Sequence, residues 1–199
     1  MKPCTILLAA AAAALPALTS CQSNADLIPG SGYLFKTNTH GATARELVSS
    51  GSWDVPDGLT GPHLIEIDTQ QQVAKYYIAG RQVGYSSISS GTAGRDTPKG
   101  VFTVLAKDIN HKSSTYGSIV DAAGNTIVPL YTVGEPIPAG GRYQGAPMNF
   151  GMQLTRSGIW MHEGAVTSAP ESHGCIRLPR KMAKIFFENT AVGTKVIIK

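Results

Sequence analysis

Apolar and polar positions start to alternate regularly at Pro62. Leu64, Ile65 and Ile67 mark a first strand, and Val73-Ala74-Lys75-Tyr76-Tyr77-Ile78 marks a second. Ala79-Gly80-Arg81 turns the chain into a third apolar run over 83–89, so the pattern predicts a meander. Thr97-Pro98-Lys99-Gly100 reads as a turn, with proline pre-setting one dihedral and glycine freeing another, and it feeds a strand over 101–105. Residues 120–128, with Ala123-Gly124-Asn125 at the tip, predict a hairpin. Ile159-Trp160-Met161 predicts a short strand that ends at His162. The period then changes. Met182, Ile185, Phe186 and Asn189 fall on one helical face, widened by Ala183 and Phe187. Pro179 suits the first helical position, Gly193 ends the helix, and 194–199 closes as a strand. The expected class is a mostly antiparallel β domain with one late helix packed on it.

The chain before Pro62 has no such pattern. Residues 22–61 are rich in Ser, Gly, Asn, Thr and Pro and read as a tether with a short helix over 42–48. Lys2 and the apolar stretch over 6–18 read as an export signal, because a membrane-spanning helix needs roughly 20 apolar residues. Leu18-Thr19-Ser20-Cys21 resembles a bacterial lipobox, which makes Cys21 the lipidated first residue of the mature protein. The alternative is an ordinary secretory signal cut near Ser20 or Ser23. The expected organisation is a signal peptide over 1–20, a lipidated tether over 21–61 and one domain over 62–199.

Charge narrows the partners. The formal net charge is +4 over 199 residues, with no basic cluster that would suggest nucleic acid. A carboxylate-bearing wall polymer would suit this balance. Cysteine usage is more telling. Cys4 leaves with the signal and Cys21 goes to lipid, so Cys175 is a lone thiol in an exported, oxidising compartment. Such a thiol points to chemistry, against the plainer reading of a buried structural cysteine.

The surroundings of Cys175 point the same way: Ser172-His173-Gly174-Cys175-Ile176-Arg177-Leu178, preceded by Trp160-Met161-His162-Glu163-Gly164. A thiol needs a base to become a nucleophile, and His162, at a strand end, is placed to be that base. A helix starting at Pro179 would lend Cys175 its dipole. Gly174 and Cys175 offer adjacent N–H groups for an oxyanion. His173 is either a second base or a packing residue that fixes the loop. Ser172 supports the loop or touches substrate. Arg177 is either a clamp on a substrate carboxylate or a surface arginine. The polar stretch 110–116, which contains His111, reads as a loop over the site. Zinc ligation by His162, His173 and Cys175 is disfavoured, because no C-x-x-C or H-E-x-x-H spacing accompanies them.

The run from His162 through Ser172-His173-Gly174-Cys175-Ile176-Arg177-Leu178-Pro179 resembles the catalytic signature of the L,D-transpeptidase, or YkuD-like, family. Arg95-Asp96-Thr97-Pro98-Lys99-Gly100-Val101-Phe102 and the ending Gly193-Thr194-Lys195-Val196-Ile197-Ile198 resemble further parts of it. The resemblance implies a β-sandwich-like fold, Cys175 as nucleophile, His162 as general base, and the N–H groups of Gly174 and Cys175 as oxyanion hole. It implies peptidoglycan tetrapeptide stems as substrate, attacked at the third-position diamino acid with release of D-alanine. The acyl group would pass to an amine on another stem or on a wall-attached protein. It also implies sensitivity to carbapenems and no metal or organic cofactor. The chain departs from many members in its short segment between His162 and His173, and in Arg177 where they carry asparagine.

Three functions remain to be separated. An L,D-transpeptidase and an L,D-carboxypeptidase share the acyl-enzyme and differ in the acceptor, amine or water. A non-catalytic wall-binding lipoprotein belongs to another class, and the presence of both Cys175 and His162 speaks against it. With Gln22 after Cys21, the expected location is the periplasmic face of a membrane, the outer one, held by lipid.

Overall fold

The computed structural model describes residues 51–199. The tether with its expected short helix, the signal segment and Cys21 lie outside the described residues. Five early strands and the last strand of the chain build one six-stranded sheet. Its members are β1 (Ser52–Trp53), β2 (His63–Asp68), β3 (Val73–Ile78), β4 (Arg81–Ser87), β5 (Gly100–Thr103) and the final β13 (Lys195–Ile198). Their order is β1-β4-β3-β2-β13-β5. The predicted meander is therefore β2-β3-β4, all antiparallel neighbours. The last strand inserts between β2 and β5, parallel to the first and antiparallel to the second. Alternation explains the faces: Ile65 and Ile67 of β2 are buried while their neighbours Leu64, Glu66 and Asp68 are half-buried.

A second sheet carries His162 and Arg177. It is ordered β12-β11-β10-β6, from β6 (Ala106–Asp108), β10 (Gly151–Gln153), β11 (Trp160–Glu163) and β12 (Ile176–Leu178). A third sheet, β8-β7-β9, comprises β7 (Lys112–Val120), β8 (Thr126–Thr132) and β9 (Arg142–Pro147). The predicted hairpin is β7-β8. The polar stretch 110–116, expected to be a loop, instead enters the central strand β7 from Lys112 on: Lys112 pairs with Pro147 of β9, Tyr116 with Thr132 of β8, and Gly117 with both neighbours.

One core joins the first two sheets and the helix. Ile65, Ile67, Tyr76, Met152, Met161, Ile176, Leu178, Met182 and Phe186 are all shielded from solvent within it. The helix α1 spans Arg180–Asn189 and buries Met182, Ala183 and Phe186, the face expected from its spacing. Pro179 is the residue before the helix, not its first member: its ψ of 142° is extended, and its carbonyl accepts the Ala183 N–H. Gly193 likewise does not end the helix. Thr190 does, and Gly193, at φ 91°, turns the chain back into β13.

The helix end is held by buried polar bonds. Tyr76 Oη donates to the Asn189 carbonyl at 2.5 Å and Lys107 Nζ to the Thr190 carbonyl at 2.6 Å. These satisfy carbonyls that a helix end leaves without partners. Phe186 stacks edge-on against Tyr76 at 5.2 Å, and Trp53 does the same at 5.0 Å. Phe186→Ala should therefore cost about 3–5 kcal/mol of stability through lost burial and a residual cavity. Urea unfolding measures it, and a loss under about 1 kcal/mol would show that the helix is not anchored here.

Candidate active site

The site is built on the parallel pairing of β11 with β12, which sets His162 opposite Arg177. Opposed residues project to the same face, and Cys175, two residues before Arg177, shares it. Parallel neighbours need a crossover, here the irregular segment 164–175 rather than a helix. His162, Cys175 and Arg177 line one groove of about 770 Å³, together with His111, Tyr116 and Trp160. The β7 and β9 side of the third sheet forms its other wall, through Ser113, Tyr116 and Pro147.

The turn that presents the thiol is cross-braced. Ser172 is buried, and its hydroxyl donates to the Cys175 carbonyl at 2.5 Å while accepting the Gly174 N–H at 3.0 Å. Ser172 thus supports the loop. The Gly174 N–H is thereby committed, so the expected pairing of Gly174 and Cys175 as oxyanion donors is corrected. Among the described residues the Cys175 N–H has no acceptor. Gly174 sits at φ 113°, and a Cβ there would meet Ile159 Cδ1 at 2.9 Å. Thr97, which sequence reasoning did not single out, locks the turn from outside. Its buried hydroxyl donates to the Gly174 carbonyl and accepts the Gly91 N–H, both at 2.8 Å.

Cys175 is not at a helix N-terminus: β12 lies between it and α1, so the expected dipole contribution is absent. Burial pushes its thiol above the ordinary value, and the Trp160 N–H and the Arg177 guanidinium pull in the opposite direction. The Sγ–H points to the Gly158 carbonyl at 3.6 Å. His162 is 7% exposed, and its Nδ1–H donates to the Glu163 carbonyl at 2.6 Å. That bond selects the tautomer in which Nε2 is the free acceptor. Burial, above all, lowers its pKa to about 4. The resting pair is a neutral thiol and a neutral imidazole.

The other predicted residues separate. His173 is exposed and stacks on Tyr116 of β7 at 4.3 Å, so it joins the turn that carries Cys175 to the third sheet. Desolvation lowers its pKa first, then Arg95 and Arg177. Arg177 has no carboxylate within ion-pair distance among the described residues. His111 stacks on Trp160 at 3.8 Å and pairs with Asp108 at 3.3 Å. Gly158, Trp160 and Glu163 act here through backbone atoms, which no side-chain motif could have revealed.

Residues 62–198 match the family model YkuD, the L,D-transpeptidase catalytic domain. No curated protein matches the chain. Among solved structures, an L,D-transpeptidase from Mycobacterium smegmatis is 23% identical, with a TM-score of 0.53 over 70% of this chain and 59% of that one. One from Xylanimonas cellulosilytica is 21% identical, with a TM-score of 0.52 over 72% and 63%. A cysteine-to-serine variant of the Enterococcus faecium L,D-transpeptidase is 25% identical, with a TM-score of 0.52 over 70% and 50%. The chain thus spans less than two thirds of each of these solved chains.

The depressed pKa of His162 makes a prediction about stability. As pH falls, the unfolded chain protonates this histidine first, near 6.5, while the folded protein resists until about 4. Its contribution is therefore fully present above about 6.5 and is lost as pH falls toward 4, by up to about 3 kcal/mol. Denaturant midpoints at neutral and acid pH should converge more in His162→Gln than in wild type. An equal acid loss in both would remove His162 as a source.

Proposed function

Because the chain belongs to the YkuD family of L,D-transpeptidase catalytic domains, we propose that it is a cysteine acyltransferase acting on peptidoglycan stem peptides, with Cys175 as nucleophile and His162 as general base. The observation that carries this reading is the convergence of Cys175, His162 and Arg177 on one groove. As Sγ attacks the carbonyl of the third-position diamino acid in a tetrapeptide stem, Nε2 of His162 takes the thiol proton. The neutral resting pair favours this coupled transfer over a preformed thiolate. The Cys175 N–H meets the developing oxyanion. Collapse breaks the C–N bond, the imidazolium returns its proton to the leaving D-alanine amine, and a thioester remains. An acceptor amine on another stem or a wall-attached protein then loses its proton to Nε2 and takes the acyl group, and the thiol is restored.

Arg177 is read as the clamp on a substrate carboxylate, supported by its lack of an acidic partner and its place beside His162. His173 is read as a loop-fixing residue, supported by its stack on Tyr116. The same acyl-enzyme resolved by water would make the protein an L,D-carboxypeptidase. A defined tetrapeptide stem, followed by mass analysis, separates crosslinked dimer from trimmed tripeptide. Upstream, Cys21 is read as the lipidated residue that tethers the domain beside the wall.

Cys175→Ala should abolish turnover and covalent labelling by a carbapenem. His162→Ala should slow labelling by on the order of 10²-fold, and His173→Ala should slow it less. Intact-mass time courses measure all three. An adduct on the alanine variant at position 175, or a silent His173 variant beside an active His162 variant, would reverse the assignment.

Cys21→Ala should lose metabolic fatty-acid labelling and leave the membrane fraction, since multiple acyl chains, each buried CH₂ contributing about 0.8 kcal/mol, provide a stable anchor where a single chain binds only marginally. A wild type that carries no lipid, and stays with membranes regardless, would point to an ordinary signal peptide.

A further inference from the structure

The residue after the base has an unusually complete set of partners. Glu163 is the last residue of β11. Its N–H donates to the Asn149 carbonyl at 2.9 Å, and its own carbonyl accepts the His162 Nδ1–H at 2.6 Å. Its carboxylate receives one Arg180 nitrogen at 3.0 and 2.9 Å and the Asn149 side-chain amide at 3.2 Å. Arg180 is the first residue of α1, and its guanidinium lies over the Phe150 ring at 5.7 Å.

Backbone and side chain of one residue share a Cα, so pinning the carboxylate restrains the peptide that follows His162. Backbone bonds hold this strand end too, from the Glu163 N–H to the Asn149 carbonyl at 2.9 Å and from the Gly164 N–H to the Leu178 carbonyl at 3.0 Å, and the carboxylate adds a side-chain restraint to them. The bond the Glu163 carbonyl makes to Nδ1 selects the tautomer and the ring orientation, and both must be right for Nε2 to face the thiol. We infer that the Arg180–Glu163–Asn149 cluster is a positioning clamp for His162, tying the start of α1 to the alignment of the general base. The inference rests on the reading of His162 as that base.

The pair itself adds little stability. The Arg180 side chain is 70% exposed and that of Glu163 22%, and ion pairs open to water contribute little. A positioning role therefore predicts an effect on rate that a structural role does not. The Glu163 carboxylate also favours the imidazolium of His162. Removing it should move the acid limb of the rate to lower pH, and removing Arg180 should move that limb to higher pH.

The test is carbapenem acylation followed by intact mass between pH 3 and 8, a window that contains the His162 pKa of about 4, with thermal melts alongside. The variants are Glu163→Ala, Glu163→Gln, Arg180→Ala and Arg180→Lys in the full chain. The two alanine variants should acylate about 10-fold more slowly or worse, with opposite shifts of the acid limb and melting points close to wild type. Glu163→Gln and Arg180→Lys should recover most of the rate. Alanine variants within about twofold of wild type, or all four variants slowed equally together with lowered melting points, would overturn the clamp alone. A wild type that forms no adduct would overturn the proposed function and the clamp with it.

Discussion

The parallel pairing of β11 with β12 is the constraint on which the groove depends. It sets His162 beside Arg177 and, through strand alternation, Cys175 on the same face. Two short strands cannot hold that register alone. The edge of β12 is paired again through Ser89, which exchanges both backbone bonds with Arg177 at 3.0 and 3.1 Å. The core beneath is continuous: Met161, Ile176 and Leu178 are fully buried and belong to the same cluster as Ile65, Ile67 and Phe186. A change in that packing would therefore be felt at the site through the register of these strands.

Burial at the groove has a cost and a use. It pushes both the thiol and the imidazole toward their neutral forms. Arg177 counters this for the thiol and reinforces it for the imidazole, since a cation favours a thiolate and disfavours an imidazolium. In the proposed reaction, the proton is therefore transferred as the bond to carbon forms. The turn that carries Cys175 has to be rigid for this to work. Thr97, Ser172 and the positive φ of Gly174 supply that rigidity through backbone bonds rather than through a helix dipole.

The third sheet closes the other side. It meets the turn that carries Cys175 through the ring pair of Tyr116 and His173. This gives the second histidine of the Ser-His-Gly-Cys run a mechanical task, and it leaves His162 as the imidazole held within the β11–β12 face. A groove walled by a paired strand keeps a fixed shape where a free loop would not.

Much of this was legible in the residues. Alternation over 64–78, the turn at Pro98 and the period of Met182 and Phe186 each encode a local element, because side-chain direction follows directly from backbone period. The Ser-His-Gly-Cys run with His162 upstream pointed to residues that the fold brings to one groove, Cys175 and His162, on which the proposed nucleophile and base rest. The short strands β6 and β10 carry too few residues for a period to emerge, β9 has Tyr143 as its one large apolar side chain, and polar residues 112–116 hid a strand whose partners are distant in sequence. Bonds from side chains to the backbone within the turn also decided which N–H groups are free. The Gly174 amide is consumed by Ser172, and the helix does not reach Cys175 because β12 intervenes. The tautomer of His162 rests on a neighbour's carbonyl, and the clamp on that neighbour joins Asn149, Glu163 and Arg180. Backbone atoms have no signature in the sequence, so which of them face a groove is settled by the packing of the whole domain.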